Sequence, residues 1–160
     1  MRKKASVTVD LDDIDLDICE ALAWEGRLSY RELGDRIGLS SPATADRVRR
    51  LEQRGVITGY RAVIDYEALG FPILSIVRLN NSYRSDTDID AALKVVPEVI
   101  EANRVTGAES HVIRARVRST SHLEELLKVF WNQADTITNI VTSSPIPRRP
   151  MLLRRALGRG

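Results

Sequence analysis

The residues most able to do chemistry are arginines spaced along one short stretch, residues 41–54. In an α-helix with about 100° of rotation per residue, Ala43, Arg47, Arg50 and Arg54 share one face within an arc of about 60°. An arginine near the start of a helix can pair with guanine in the DNA major groove, and arginines further along can contact phosphates. We therefore expect DNA contacts here, although a solvated basic face is the simpler alternative. The expected contacts are Ser40, Ser41, Ala43, Thr44, Arg47, Arg50 and Arg54.

Three short helices are expected to position these side chains. Apolar residues at helical spacing predict the first helix over residues 11–25. Ser29 and Glu32 form a capping-box pattern that predicts the start of the second helix, and Gly38 predicts its end. The third helix is the arginine-bearing stretch, which Gly55 ends. The tight turn between the second and third helices predicts a helix-turn-helix.

A candidate wing follows the third helix. Residues 56–65 are rich in β-branched residues, with Thr58 and Gly59 at the centre of the segment. This pattern predicts two short strands around a turn, or one strand after a turn.

The second half of the chain alternates between strand and helix patterns. The order is strand, helix, strand, strand, helix, strand, which predicts a ferredoxin-like βαββαβ domain. The expected elements cover residues 73–79, 87–96, 99–106, 111–118, 120–132 and 137–143. The expected fold class is therefore α+β, with a winged helix-turn-helix over residues 1–66 and a ferredoxin-like domain over residues 67–145.

The first strand of that domain is apolar on both faces. Ile73, Val77 and Leu79 alternate with Leu74 and Ile76. Two helices cover only one face of a four-stranded sheet, and a face that met water would be more polar. We expect the second face to pack on another subunit, which makes the protein a homodimer.

Charge is unevenly distributed along the chain. The total is +2, but residues 145–160 carry five arginines and no acidic residue. Prolines in this basic tail disfavour regular structure, so we expect residues 146–160 to be flexible. The tail is either a solvated end or an auxiliary arm that touches DNA phosphates.

Other features of the composition indicate a cytoplasmic protein. No apolar run is long enough to span a membrane, and the basic start is followed by no apolar stretch of the kind a signal peptide needs. The single cysteine, Cys19, has no partner for an internal disulfide and fits a reducing compartment.

Several short motifs follow one another along the first part of the chain. They are Leu11-Asp12-Asp13-Ile14-Asp15, Gly26-Arg27-Leu28-Ser29, Gly38-Leu39-Ser40, Arg47-Val48-Arg49-Arg50-Leu51-Glu52 and Gly55-Val56-Ile57-Thr58-Gly59-Tyr60. Together they resemble the Lrp/AsnC, or feast/famine, family of bacterial and archaeal regulators, and the resemblance covers roughly residues 11–145. It implies a winged helix-turn-helix, a ligand-sensing domain, dimers that assemble further, commonly to octamers, and amino acids as frequent effectors.

The resemblance also implies where an effector binds. In the family, a Gly-Asp-x-Asp loop between the second and third strands lines the effector pocket. The matching residues are Gly107, Ala108, Glu109 and Ser110, so the glycine agrees and both aspartates differ. Glu109 is expected to bind an α-amino group and backbone N–H groups a carboxylate. The alternative is a plain hairpin turn with an exposed glutamate.

Catalysis finds little support in the sequence, and we expect neither a cofactor nor a metal. His111 and His122 show no metal-ligand spacing with Cys19, and no nucleotide-binding or hydrolase motif is present. Two alternatives stay open. One is an enzyme that resembles sirohaem decarboxylases, which share this architecture, and the other is a metabolite-binding oligomer with a vestigial DNA domain.

Overall fold

The computed structural model describes residues 9–80 and 85–159, which form two compact units. The first unit contains residues 1–62 together with residues 146–160, and the second contains residues 63–145. The chain therefore passes from one unit to the other twice.

The first unit contains the expected three helices, α1 (Asp13–Trp24), α2 (Tyr30–Ile37) and α3 (Ser41–Gln53). Each begins at a side-chain cap, because Asp12, Ser29 and Ser40 accept hydrogen bonds from backbone N–H groups three residues later. The capping box of Ser29 is complete, and Gly38 ends α2 at φ 74°. The helix-turn-helix prediction is confirmed. Its core is built from Ile18, Leu33, Val48 and Leu51.

The expected strands of the wing do not form. Residues 56–65 contain neither helix nor strand. A strand needs a neighbour to accept its backbone hydrogen bonds, and Val63 is fully exposed. The start of this segment is nevertheless held on α3, since the Tyr60 hydroxyl donates to Glu52 at 2.9 Å. Burial, and then Glu52, raise the pKa of Tyr60 to about 12.

The second unit confirms the βαββαβ prediction. Its elements are β1 (Ile73–Asn80), α4 (Asp86–Lys94), β2 (Val99–Arg104), β3 (Glu109–Val117), α5 (Thr120–Lys128) and β4 (Asp135–Ile140). The strand order is β2-β3-β1-β4, and every neighbouring pair is antiparallel. No helix among the described residues is long and apolar enough to cross a membrane.

The two faces of the sheet differ in character. Val77, Leu79 and Phe130 belong to the core that the helices cover. Because side chains alternate along a strand, Leu74, Ile76 and Arg78 lie on the opposite face, which is called here the open face. The open face is thus apolar on β1 near its start, as expected, but it also carries Arg78 and, opposite Ile76 and Leu74, Arg114 and Arg116 of β3, which the expectation left out.

The tail, for which flexibility is expected, contains regular structure in its described part. Residues 153–156 form a short helix, α6 (Leu153–Ala156), which packs against α1. Ion pairs join the segment to acidic side chains of α1 that are far away in sequence.

Gly34 provides a test of the helix-turn-helix packing. A Cβ at Gly34 would lie 2.5 Å from the Leu39 carbonyl oxygen and 2.9 Å from the Thr44 hydroxyl. We expect Gly34→Ala to lower the free energy of unfolding by about 1–3 kcal/mol, because backbone must move to make room. Urea unfolding followed by circular dichroism measures this.

Gly26→Ala is the matched control, because a Cβ there meets nothing closer than 3.5 Å. If the two variants were equally stable, α2 would not approach the turn as closely as described.

Candidate functional site

One face of α3 is buried in the core of the first unit. Thr44, Val48 and Leu51 are all buried, and the Thr44 hydroxyl donates to the Ser40 carbonyl oxygen at 3.0 Å. The expectation that Thr44 faces DNA is therefore wrong. Its spacing with Val48 and Leu51 already placed it on the core side.

Arg47 joins α3 to α1. Its Nη1 atom donates to Asp12 at 2.7 Å and to Asp15 at 2.8 Å, and 25% of its side chain is exposed. The Asp15 N–H group, followed by Arg47, holds the pKa of Asp12 below its usual range. The two carboxylates raise the pKa of Arg47. The guanidinium is thus engaged within the protein, contrary to the expectation of a free base-reading side chain.

Arg54 lies on the same side of α3 as Arg47. It donates to the Asp10 carbonyl oxygen and lies 3.9 Å from the Asp15 carboxylate. Two of the three arginines of the expected stripe are therefore turned toward the start of α1.

The solvent-facing side of α3 carries different cations. Arg50 and Arg49 have 60% and 64% of their side chains exposed. Asp46 lies 2.8 Å from Arg50 and 3.7 Å from Arg49. Ser41 and Ala43 are also exposed, near the start of the helix. This solvent-facing group is called here the outer face, and its members are Ser41, Ala43, Asp46, Arg49, Arg50 and Gln53.

The sequence analysis missed Arg49, and a signal for it was present. Thr44, Val48 and Leu51 define the core direction of α3, and Arg49 lies about 140° from Thr44 on a helical wheel. The narrowest arc of arginines on α3 therefore does not coincide with the direction opposite its core. Arginines there can pair bidentately with guanine or with phosphate oxygens.

The loop between β2 and β3 lies beside the end of β1. Gly107 has φ 121°, a conformation that favours glycine, and Ala108 is exposed. Glu109 lies opposite Asn80, where the register shifts, and its carboxylate is 3.6 Å from the Arg78 guanidinium. The Ser110 hydroxyl donates to the Leu79 carbonyl oxygen at 3.2 Å. Glu109 is therefore paired with a cation and not free.

Both histidines contact carboxylates. His111 is buried and its Nε2 lies 3.3 Å from Asp90, while His122 Nε2 lies 2.9 Å from Glu98. Arg104, and then His111, hold the pKa of Asp90 below its usual range. Among residues 9–80 and 85–159 no group of three or more potential ligands is arranged to hold a metal.

Comparisons with known proteins cover both units. A family model described as winged helix-turn-helix DNA-binding matches residues 11–58, and one for the Lrp/AsnC ligand binding domain matches residues 76–151. The transcriptional regulator LrpA of Mycobacterium tuberculosis is 41% identical over 137 residues, which are 85% of this chain and 89% of that protein. This chain belongs to the Lrp/AsnC family. It is a DNA-binding transcription regulator with a ligand-binding domain.

Solved structures of Lrp/AsnC regulators have the same fold. LrpC of Bacillus subtilis has a TM-score of 0.82 and 31% identity, over 88% of this chain and all (100%) of LrpC. The feast or famine regulatory protein of M. tuberculosis, solved in complex with L-methionine, has a TM-score of 0.81 and 36% identity. The match covers 89% of this chain and 99% of that regulator's chain.

The division of the arginines on α3 gives a prediction for this Lrp/AsnC regulator. We expect Arg50→Ala to weaken binding to any duplex and to lower the salt slope by about one unit, because one phosphate contact is lost. The free energy of unfolding of the Arg50→Ala variant should not change. Arg47→Ala should instead lower the free energy of unfolding by about 1–2 kcal/mol, since Asp15 loses a charged hydrogen-bond partner.

Fluorescence anisotropy with labelled duplexes at several salt concentrations, together with urea unfolding, measures both effects. Lys128→Ala, which removes an exposed cation from α5, is the control for net charge. The assignment is contradicted if Arg47→Ala is fully stable and loses more DNA affinity than Arg50→Ala.

Proposed function

We propose that this protein binds double-stranded DNA through the outer face of α3 and that an amino acid modulates its assembly or its DNA affinity. The observation that carries the proposal is the pair of exposed arginines, Arg49 and Arg50, on the solvent side of the second helix of a helix-turn-helix. A protein acting on the chromosome in this way works in the cytoplasm.

The outer face supplies two kinds of DNA contact. Ser41 and Ala43 lie in the first turn of α3, the part of such a helix that reaches base edges. Arg49 and Arg50 lie one to two turns later and contact phosphates or guanine. Asp46 holds both arginines in the free protein, and a phosphate replaces it as their partner when DNA binds. Arg47 and Arg54 contribute indirectly, by fixing the orientation of α3.

The charges at the β2–β3 loop are complementary to an amino acid. Arg78 provides a cation for the carboxylate and Glu109 an anion for the ammonium group, and their pairing across 3.6 Å leaves both about one-third exposed. The Asn80 side-chain oxygen is buried beside them without a hydrogen-bond partner among the described residues. Gly107, Ala108 and Ser110 add backbone groups at the rim. The complex of a relative with L-methionine supports this ligand class.

The open face of the sheet supports a homodimer. Leu74 and Ile76 lie there on β1, and Ile137 lies there on β4 with 43% of its surface exposed. Leu74 is already buried within the chain, and a second copy that packs on this face would bury Ile76 and Ile137 beside the Arg78–Glu109 pair. The effector site would then lie at a subunit boundary, and further assembly of dimers, as in an octamer, would place several reading heads on one DNA.

A regulator without enzymatic activity fits better than the two alternatives. Relatives that match most of the chain are named transcriptional regulators. Because His111 and His122 are held by carboxylates, they are poorly placed to serve a tetrapyrrole as in a sirohaem decarboxylase. The exposed arginines of α3 argue against a vestigial DNA domain. We propose that the protein needs no cofactor.

The function is tested by selecting bound fragments from genomic DNA with and without pooled amino acids. We expect a defined set of sites whose affinity changes about 5–150-fold with the effector, the usual range of coupling between two sites. Glu109→Gln should bind the same sites without the change, because it loses the anion that holds the ammonium group.

Glu101→Gln is the matched control, since Glu101 is an exposed carboxylate that pairs with Arg114 at 3.5 Å on the same face. An equal effector response in native protein and Glu109→Gln would place the pocket elsewhere. A failure to enrich any DNA sequence would contradict the proposed function itself.

The dimer is tested by a charge on the open face. We expect Ile76→Lys to shift the native dimer or larger assembly toward monomer in light scattering, because its ammonium group would be buried beside Arg114, the like-charged residue opposite position 76. Val95→Lys is the control, since Val95 is an apolar residue that is already 79% exposed. A stable monomer for the native protein would overturn this part of the proposal.

A further inference from the structure

The C-terminal segment, residues 146–159, folds back onto the first helix of the reading head. The Arg154 guanidinium donates to Asp17 at 2.7 and 3.0 Å and to Asp13 at 3.2 Å. Arg159 donates to the Leu11 carbonyl oxygen at 2.9 Å and lies 3.4 Å from Asp13. Contacts of this kind join residues almost at opposite ends of the chain.

The contact is also made through the backbone of the segment. The Arg154 N–H group, at the start of α6, donates to the Glu20 carboxylate at 2.8 Å. No side chain within the segment caps this short helix, so Glu20 of α1 satisfies one of its free N–H groups. Asp17 also raises the pKa of Arg154. The acidic side of α1 thus binds the backbone of the short helix as well as an arginine side chain.

Leu16 indicates that an apolar contact accompanies the ionic ones. It is 1% exposed, yet it does not belong to the core cluster around Ile18 and Leu33. On a helical wheel it lies within about 100° of Asp13, Asp17 and Glu20 together, which is the side that faces the C-terminal segment. We infer that the segment covers Leu16.

The C-terminal segment also determines the net charge of the first unit. Residues 1–62 contain equal numbers of basic and acidic residues, eleven of each. The five arginines of residues 146–160 therefore supply the whole net positive charge of the unit. Arg148, Arg149 and Arg155 form no ion pair with another described residue, so their charge is available to solvent or DNA phosphate.

We propose that the acidic face of α1, formed by Asp13, Asp17 and Glu20, is a docking site for this segment, and that the docked segment is a latch. With the latch closed, the reading head is joined to the second unit by two chain connections instead of one. Residues 141–145 join the segment to β4, whose Asn139 accepts a hydrogen bond from Arg78 at 3.1 Å. The effect of the latch on effector signalling rests on the proposed function, but the docking of the segment on α1 does not.

Charge reversal in the full-length protein tests the docking. We expect Arg154→Glu to increase hydrogen exchange in residues 10–24 and 150–159 by about tenfold or more, because the segment leaves α1 and both helices open more often. Arg155→Glu is the control, since it makes the same charge change in the same helix at an exposed side chain that forms no ion pair with α1. Asp17→Arg combined with Arg154→Glu should restore protection.

Nuclear magnetic relaxation measures whether the second chain connection, made by the docked segment, restrains the motion of the first unit. Tumbling of the first unit should become more independent of the second unit in Arg154→Glu and return to the native value in the double variant. Equal exchange and equal tumbling for Arg154→Glu and Arg155→Glu would overturn the latch. If exchange follows the expected pattern but the native protein binds no duplex, the latch stands and the proposed function fails.

Discussion

Asp15 carries a carboxylate that is largely removed from water, and the arrangement of the reading head depends on satisfying it. Its side chain is 12% exposed and receives Arg47 at 2.8 Å, with Arg54 at 3.9 Å. A charge in such a position is costly unless it is paired and hydrogen-bonded. The pairing fixes the rotation of α3 about its own axis relative to α1. It therefore decides which arginines of α3 face α1 and which face solvent.

The acidic start of α1 acts in two directions. On one side, Asp12 and Asp15 engage cations of α3, and on the other, Asp13 and Asp17 engage the C-terminal segment. Aspartates near the start of a helix are also favoured by the helix dipole. The same cluster thus begins the helix, orients the recognition helix and holds the chain end. The exposed arginines of α3, Arg49 and Arg50, are near Asp46 and do not pair with these acids.

Much of the fold could be predicted because its signals are local. The Ser29–Glu32 capping box, the Gly38 stop and the i, i+3, i+4 apolar sets lie within single elements, and the strand and helix order follows from them. The wing strands could not be judged in this way, since pairing depends on a partner that residues 56–65 do not have within the described chain. Residues that favour the strand conformation do not by themselves provide the neighbouring strand that its backbone hydrogen bonds need.

The candidate site was predicted less well, because its decisive contacts join distant residues. Arg47 and Asp15 are 32 residues apart, and Arg154 and Asp17 are 137 residues apart. Composition marks these side chains as charged but does not say which charges meet. The pairing of Arg78 with Glu109 is of the same kind, since it requires the register of β1 on β3. Ion pairs between elements are therefore what the sequence alone could not supply.

The central claim is that the outer face of α3 contacts DNA while Arg47 stays bound to α1. The most direct measurement is a structure of the full-length protein bound to a duplex chosen by selection from genomic DNA. The account predicts Arg49 and Arg50 within hydrogen-bond distance of phosphate or base, with both bonds from Arg47 to Asp12 and Asp15 intact. An Arg47 guanidinium that has left Asp15 to pair with a base would contradict it.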